Sequence, residues 1–139
     1  MKQYQASTTI NASPEAVWAI LTDASGYPSF DPYCEKIEGT IAPGQKIKAF
    51  STLSPGRAFP VKVSVFEPGR KMVWSGGMPL GLFKGERTFT LTPTEDGGVQ
   101  FDMHEIFSGP MLALFGNSIP DMTEPFAKFA EGLKAKAEG

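Results

Sequence analysis

The chain has 139 residues, a formal net charge of −2 and a pI near 5.4. That length suits one domain over residues 1–139, long enough to bury roughly two-thirds of its unfolded surface. The charge gives no electrostatic basis for nucleic acid as a partner. The single cysteine excludes an internal disulfide and fits a reducing, cytoplasmic setting.

Residues 1–5 lack the apolar centre of a signal peptide, and no apolar run reaches the length of about 18 residues that a membrane span needs. Eleven phenylalanines and six methionines, against two tryptophans and three tyrosines, suit a large apolar interior. Tyr4–Asn11 alternates small polar residues with Thr8, Thr9 and Ile10 and reads as a first strand. Ser13-Pro14-Glu15 is a helix start, with Ser as cap, Pro at the first position and an acid at the positive dipole end. The helix Pro14–Thr22 sets Val17, Ile20 and Leu21 on one face, and the segment 27–33, with two prolines, holds at most one more helical turn.

Six strands follow: Cys34–Ile41, Lys46–Leu53, Val61–Phe66, Lys71–Ser75, Phe83–Pro93 and Gly98–Ser108. A long helix over Pro110–Ala137 closes the chain. On a wheel of about 100° per residue with Phe115 at zero, Ile119, Met122, Phe126, Phe129 and Leu133 lie within roughly 40° of it. Asp121, Glu124, Lys128, Glu131 and Lys134 face the other way, so the helix asks for a broad apolar partner surface. Strand, two short helices, six strands and a long helix make an α+β order with an antiparallel meander.

In such a meander successive turns alternate between the two ends of the sheet. Turns 42–44, 68–70 and 95–97 share one end and are short and polar. Loops 54–59 and 76–82 share the other with 28–33 and 108–111, and carry Phe30, Phe59, Met78, Leu80, Leu82 and Met111. Long apolar loops gathered at one end suggest the mouth of a cavity.

Strand parity separates the faces. Phe89 and Leu91 share a face with Arg87, as Phe101 and Met103 do with Glu105; Val61, Val63 and Val65, and Met72 with Trp74, are expected inward. A three-residue turn at 95–97 pairs Thr94 with Gly98, which sets Leu91 opposite Phe101, Phe89 opposite Met103 and Arg87 opposite Glu105. An ion pair on an apolar face is the acceptable way to bury either charge. It either satisfies only itself or anchors a ligand's oxygen in an otherwise apolar pocket.

Recognisable catalytic motifs are missing. His104, the one histidine, falls on the outward face, and without a second His or Cys beside it a metal site is not expected. Cys34 reads as a small buried hydrophobe rather than a nucleophile. No nucleotide or nucleophile-elbow fingerprint occurs, and no cofactor is expected.

The stretch Ile10-Asn-Ala-Ser-Pro-Glu-Ala-Val-Trp18, then Leu21-Thr-Asp and Tyr27-Pro-Ser-Phe-Asp-Pro, resembles the opening of START-like proteins of the polyketide cyclase/dehydrase (SRPBCC) group. Phe66-Glu-Pro-Gly, Met72-Val-Trp74-Ser-Gly, the Phe89-x-Leu strand and Glu105-x-Phe-x-Gly109 are similar to the rest of that pattern. The resemblance implies a helix-grip fold, a curved seven-stranded antiparallel sheet wrapped around the C-terminal helix with a hydrophobic cavity between. Two departures stand out: Phe30-Asp31, where an aromatic followed by Asn is commoner, and Pro120 and Pro125, which would kink the grip helix.

The expected function is to bind a small hydrophobic molecule, a lipid or polyketide, as carrier or sensor. The lining would be Ser51, Val63, Trp74, Arg87, Phe89, Phe101, Met103, Glu105, Phe115, Ile119, Met122 and Phe126. One alternative is a cyclase/dehydrase-type enzyme that moves protons through Arg87 and Glu105, aided by Tyr33 or Ser51. Another is an adaptor whose 76–82 loop meets a protein or membrane.

Overall fold

A computed structural model describes residues 2–115 and 119–139. The first strand, β1 (Lys2–Ile10), leads into α1 (Pro14–Leu21). Ser13 caps α1, its Oγ accepting the Ala16 N–H at 3.1 Å, and Val17 and Leu21 turn fully inward. A 3-10 turn over Ala24–Ser29 follows, and its Tyr27 hydroxyl donates to the Leu21 carbonyl at 2.6 Å, tying the turn to the end of α1.

The strands are β2 (Cys34–Glu38), β3 (Lys46–Ser51), β4 (Ala58–Glu67), β5 (Lys71–Met78), β6 (Phe83–Pro93) and β7 (Val99–Ser108). They form one antiparallel seven-stranded sheet in the order β1-β7-β6-β5-β4-β3-β2. The sheet curls into a half-barrel over the C-terminal helix, the expected helix-grip arrangement. The β6–β7 register is the one the turn length dictates, with Arg87 opposite Glu105, Phe89 opposite Met103 and Leu91 opposite Phe101. Residues Phe89, Leu91, Val99, Phe101 and Met103 are all sealed from solvent.

Two expectations are corrected. The inward set on β4 is Val61, Val63 and Phe66, not Val65. A bulge between Val63 and Val65 inserts an unpaired residue and reverses the parity beyond it. Phe66 then meets Trp18 of α1 edge-on, at 5.2 Å between ring centres.

The helix expected over Pro110–Ala137 is two pieces, a single turn α2 (Leu112–Phe115) and the long α3 (Thr123–Glu138). Pro120 disfavours helix at Ile119, which stands half-exposed ahead of α3 rather than on its stripe. Asp121 starts the chain afresh by accepting the Thr123 N–H through Oδ1 at 3.0 Å. Pro125 falls in the first turn, where its missing N–H costs no internal bond, and it is buried. The prolines therefore set where the helix begins instead of kinking it. The side chain of Phe115 lies outside the described residues.

From Phe126 onward α3 keeps the predicted stripe, burying Phe126, Phe129, Ala130 and Leu133 against the concave sheet. Its last turns are fastened to β1: Lys134 Nζ donates to the Thr9 carbonyl, and Glu138 accepts the Asn11 N–H at 2.8 Å. Gly132 permits a close crossing, because a Cβ there would stand 1.8 Å from the Phe30 carbonyl oxygen. Exchanging a mid-helix glycine for alanine ordinarily gains about 1 kcal/mol. Here Gly132→Ala is expected to lose about 2 kcal/mol in denaturant unfolding, since backbone must move to admit the methyl; a gain would mean that the crossing is looser than described.

Candidate ligand-binding site

The concave face brings most of the expected lining residues together, as a close-packed interior. Val63, Trp74, Phe89, Phe101, Met103 and Phe126 are all at least nine-tenths buried, and Met122 packs against them at the start of α3. Phe129 sits at the centre. Its ring stacks on Phe101 at 6.0 Å and 20°, meets Phe30 edge-on at 5.2 Å, and lies near Tyr27 and Phe89. Phe30, expected at a mouth, thus belongs to this interior. Ser51 stays half-buried at the end of β3, its Oγ accepting the Leu53 N–H and so serving the turn.

One polar cluster interrupts the aromatic interior. Arg87 donates from Nε at 3.3 Å and from Nη2 at 2.9 Å, both to Oε2 of Glu105. The side chains keep 21% and 14% of their surface in contact with solvent, so the pair is partly wet. The guanidinium also lies 5.0 Å over the ring of Phe126, where the π-face favours a cation. Burial works against the charged guanidinium, and Glu105 more than offsets it, holding Arg87 protonated.

Two further groups join the cluster from outside the hairpin. Asp31, at the corner between the 3-10 turn and β2, accepts the Tyr33 N–H at 3.0 Å. Burial raises its pKa, against the pull of that N–H and of Arg87. Cys34, half-buried, is pushed up to about 11 by burial and by Asp31, so it stays a neutral thiol. The sequence does flag Asp31 as a departure from the START-like pattern. Its electrostatic influence on Arg87 acts between residues 56 positions apart in the chain, which no local periodicity encodes.

Trp74 lies beside this cluster, directly across from Arg87 in the β5–β6 ladder. Its ring packs on Phe89 at 5.0 Å and Tyr27 at 5.8 Å, and its Nε1–H has no protein acceptor. Among the described residues it is the one buried side-chain polar atom so placed. An unmet buried donor costs about 1–3 kcal/mol, so the interior holds a donor suited to a ligand oxygen.

Two depressions flank α3, of about 390 and 340 Å3. The larger is lined by Tyr33, Leu53 and the start of α3, the smaller by β1 and the middle of α3. The expected lining residues border neither. Among the described residues no group of side chains is composed to hold a metal ion. His104 lies on the outer face, its Nε2 2.8 Å from Gln3 Oε1.

Residues 1–138 match the model of the family described as polyketide cyclase/dehydrase and lipid transport. The chain belongs to this family. Solved structures agree on the fold. An aromatase/cyclase of Streptomyces sp. R1128 superposes with a TM-score of 0.73 at 15% identity, over 99% of this chain and 93% of that one. A START superfamily protein of Mycobacterium smegmatis gives 0.70 at 15%, over 98% and 97%. The Aha1 dimer of Colwellia psychrerythraea gives 0.73 at 22%, over 99% and 97%. At these identities the likeness concerns the fold alone. No curated protein matches the sequence.

The raised pKa of Asp31 has a definite consequence for stability. A carboxyl whose folded pKa lies above its unfolded one favours the fold fully below the unfolded value, and that contribution is lost as pH rises through the folded value. Asp31→Asn keeps the acceptor for Tyr33 and removes the desolvated charge. It is expected to be more stable than the parent near pH 7, with the gain shrinking as pH falls to about 3.5 in urea titrations. A loss of stability near pH 7 would mean that attraction to Arg87 outweighs burial.

Proposed function

We propose that the protein binds a small, largely apolar ligand carrying at least one oxygen acceptor, between the concave sheet and α3, as a carrier or sensor. The observation that carries this reading is the partly solvent-reached Arg87–Glu105 pair beside the unpartnered Nε1–H of Trp74, within an interior of aromatic rings. Apolar pockets with a few placed polar groups are the common form of small-molecule sites. Both donors point to one kind of ligand atom, a carbonyl, hydroxyl or carboxylate oxygen.

The family description and the likeness to the Streptomyces aromatase/cyclase support a ligand of this class. The entry proposed is at the end that carries Phe59, Met78, Leu80, Leu82 and Met111, where four of these apolar side chains, Phe59, Met78, Leu80 and Leu82, stay exposed. Because the interior is closely packed, binding has to move α3 or its approach outward, so affinity is set partly by repacking Met122 and Phe126.

A planar probe with one hydroxyl, 2-naphthol, tests the reading by calorimetry. Replacing both members of the pair, Arg87→Met with Glu105→Met, leaves no charge unpaired and keeps side-chain volume, so the fold is expected to persist. The double variant is expected to bind the probe about tenfold or more weakly than the parent, the loss of one charge-assisted hydrogen bond. Unchanged affinity in the folded variant would contradict the assignment of this pair as the anchor.

A further inference from the structure

We propose that Asp31 sets the charge of the ligand, so that the interior takes an uncharged oxygen compound, an alcohol or ketone, and turns carboxylates away. The proposal rests on the interior being a ligand site, and it narrows the oxygen types considered for that site to hydroxyl and carbonyl. A guanidinium alone on an apolar face would favour a carboxylate, the partner whose geometry it matches best. Arg87 is not alone. Both of its bonded donors, Nε and Nη2, go to Glu105, so its charge is already matched one for one. Trp74, across the ladder from it, brings a buried donor that carries no charge.

Asp31 adds a second carboxyl to this region, and the backbone builds it in. Its N–H donates to the Tyr27 carbonyl at 2.9 Å, and its carbonyl accepts the Cys34 N–H at 3.1 Å. Its Oδ1 accepts the Tyr33 N–H at 3.0 Å. The Tyr27 ring carried by the same corner lies 5.8 Å from the ring of Trp74. The Asp31 side chain is half-buried and belongs to none of the ion pairs among the described residues. Lys136, which reaches this corner from α3, donates instead to the Gly26 carbonyl and to Ser29 Oγ. The charge of Asp31 is felt across the cluster all the same. Burial is the main cause of the raised pKa of Tyr27 and of Cys34, and Asp31 adds to both. At Arg87 burial opposes the cation, and Asp31 joins Glu105 in favouring it.

With both carboxyls ionised, the cluster holds one positive and two negative charges. A ligand carboxylate would bring a third anion to a single cation in a partly buried region, where unmatched charge is costly. A hydroxyl or carbonyl oxygen can accept from Trp74 Nε1 or from the remaining donors of Arg87 and adds no charge. The second carboxyl thus turns an arginine site from anions to neutral oxygen.

Two probes of nearly the same shape isolate charge: 2-acetylnaphthalene and 2-naphthoate, titrated into the full chain by calorimetry at about pH 8, well above the ordinary carboxyl range. The parent is expected to bind 2-acetylnaphthalene about tenfold or more tightly than 2-naphthoate. Asp31→Asn, and as a second variant Asp31→Ser, each keep an acceptor for the Tyr33 N–H. Whichever keeps the parental circular dichroism spectrum is expected to close most of that gap by strengthening 2-naphthoate. Equal or tighter binding of 2-naphthoate by the parent would overturn the proposal and leave the interior standing as a ligand site. A gap unchanged in the folded variants would also overturn it, because burial of the ligand's own charge would then suffice. If the parent binds neither probe, the proposal falls in either case. With 2-naphthol also unbound the ligand-site reading fails too; with 2-naphthol bound that reading stands, and charge is not what selects the ligand.

Discussion

The seating of the Phe129 ring governs the interior. One side chain of α3 meets Tyr27 and Phe30 from the 3-10 turn, Phe89 from β6 and Phe101 from β7. Three segments of the chain are thereby held to one helix. The helix comes close enough only because Gly132, one turn further on, lets its backbone pass the Phe30 carbonyl. The same crossing holds the corner at Phe30 that leads into Asp31, whose charge influences Arg87.

An aromatic interior of this kind has few places for polar atoms, which gives the exceptions their weight. Arg87 and Glu105 are held by register on neighbouring strands and stay partly wet. The field of Arg87 reaches Tyr27, Asp31 and Cys34. Burial alone would shift each of these three groups toward its neutral form. With the Tyr27 phenol and the Cys34 thiol neutral and the Asp31 carboxylate disfavoured by burial, Arg87 has Glu105 as its main counter-charge and can share its remaining donors with a ligand oxygen. Trp74, across the ladder from Arg87, adds a donor without adding charge.

Much of this was legible in the residues because it is local. The 95–97 turn fixed the β6–β7 register, alternation named the inward residues, and Ser13-Pro14 marked the start of α1. The helix boundary was misread because the spacing of Phe115, Ile119 and Met122 happens to continue the period of the true stripe. The contrary signal, Pro120 with Asp121 two residues before Thr123, was present and outweighs periodicity. The β4 bulge leaves no pattern in Val61–Phe66 that alternation alone can detect. The crowding of the expected cavity by Phe129 and Phe30 depends on the close tertiary crossing at Gly132, and a single sequence does not display that.

A ligand held in the concave interior, as proposed, must reach the buried donor of Trp74. The two tryptophans allow a direct measurement. Trp18 packs on Phe66 near α1, whereas Trp74 lies among the proposed anchor groups. In a nitrogen-15 correlation spectrum of the intact chain titrated with 2-naphthol, the indole N–H signal of Trp74 is expected to move downfield as it gains an acceptor, while that of Trp18 stays in place. A saturable shift confined to Trp18, or binding that leaves the Trp74 indole unmoved, would contradict the account.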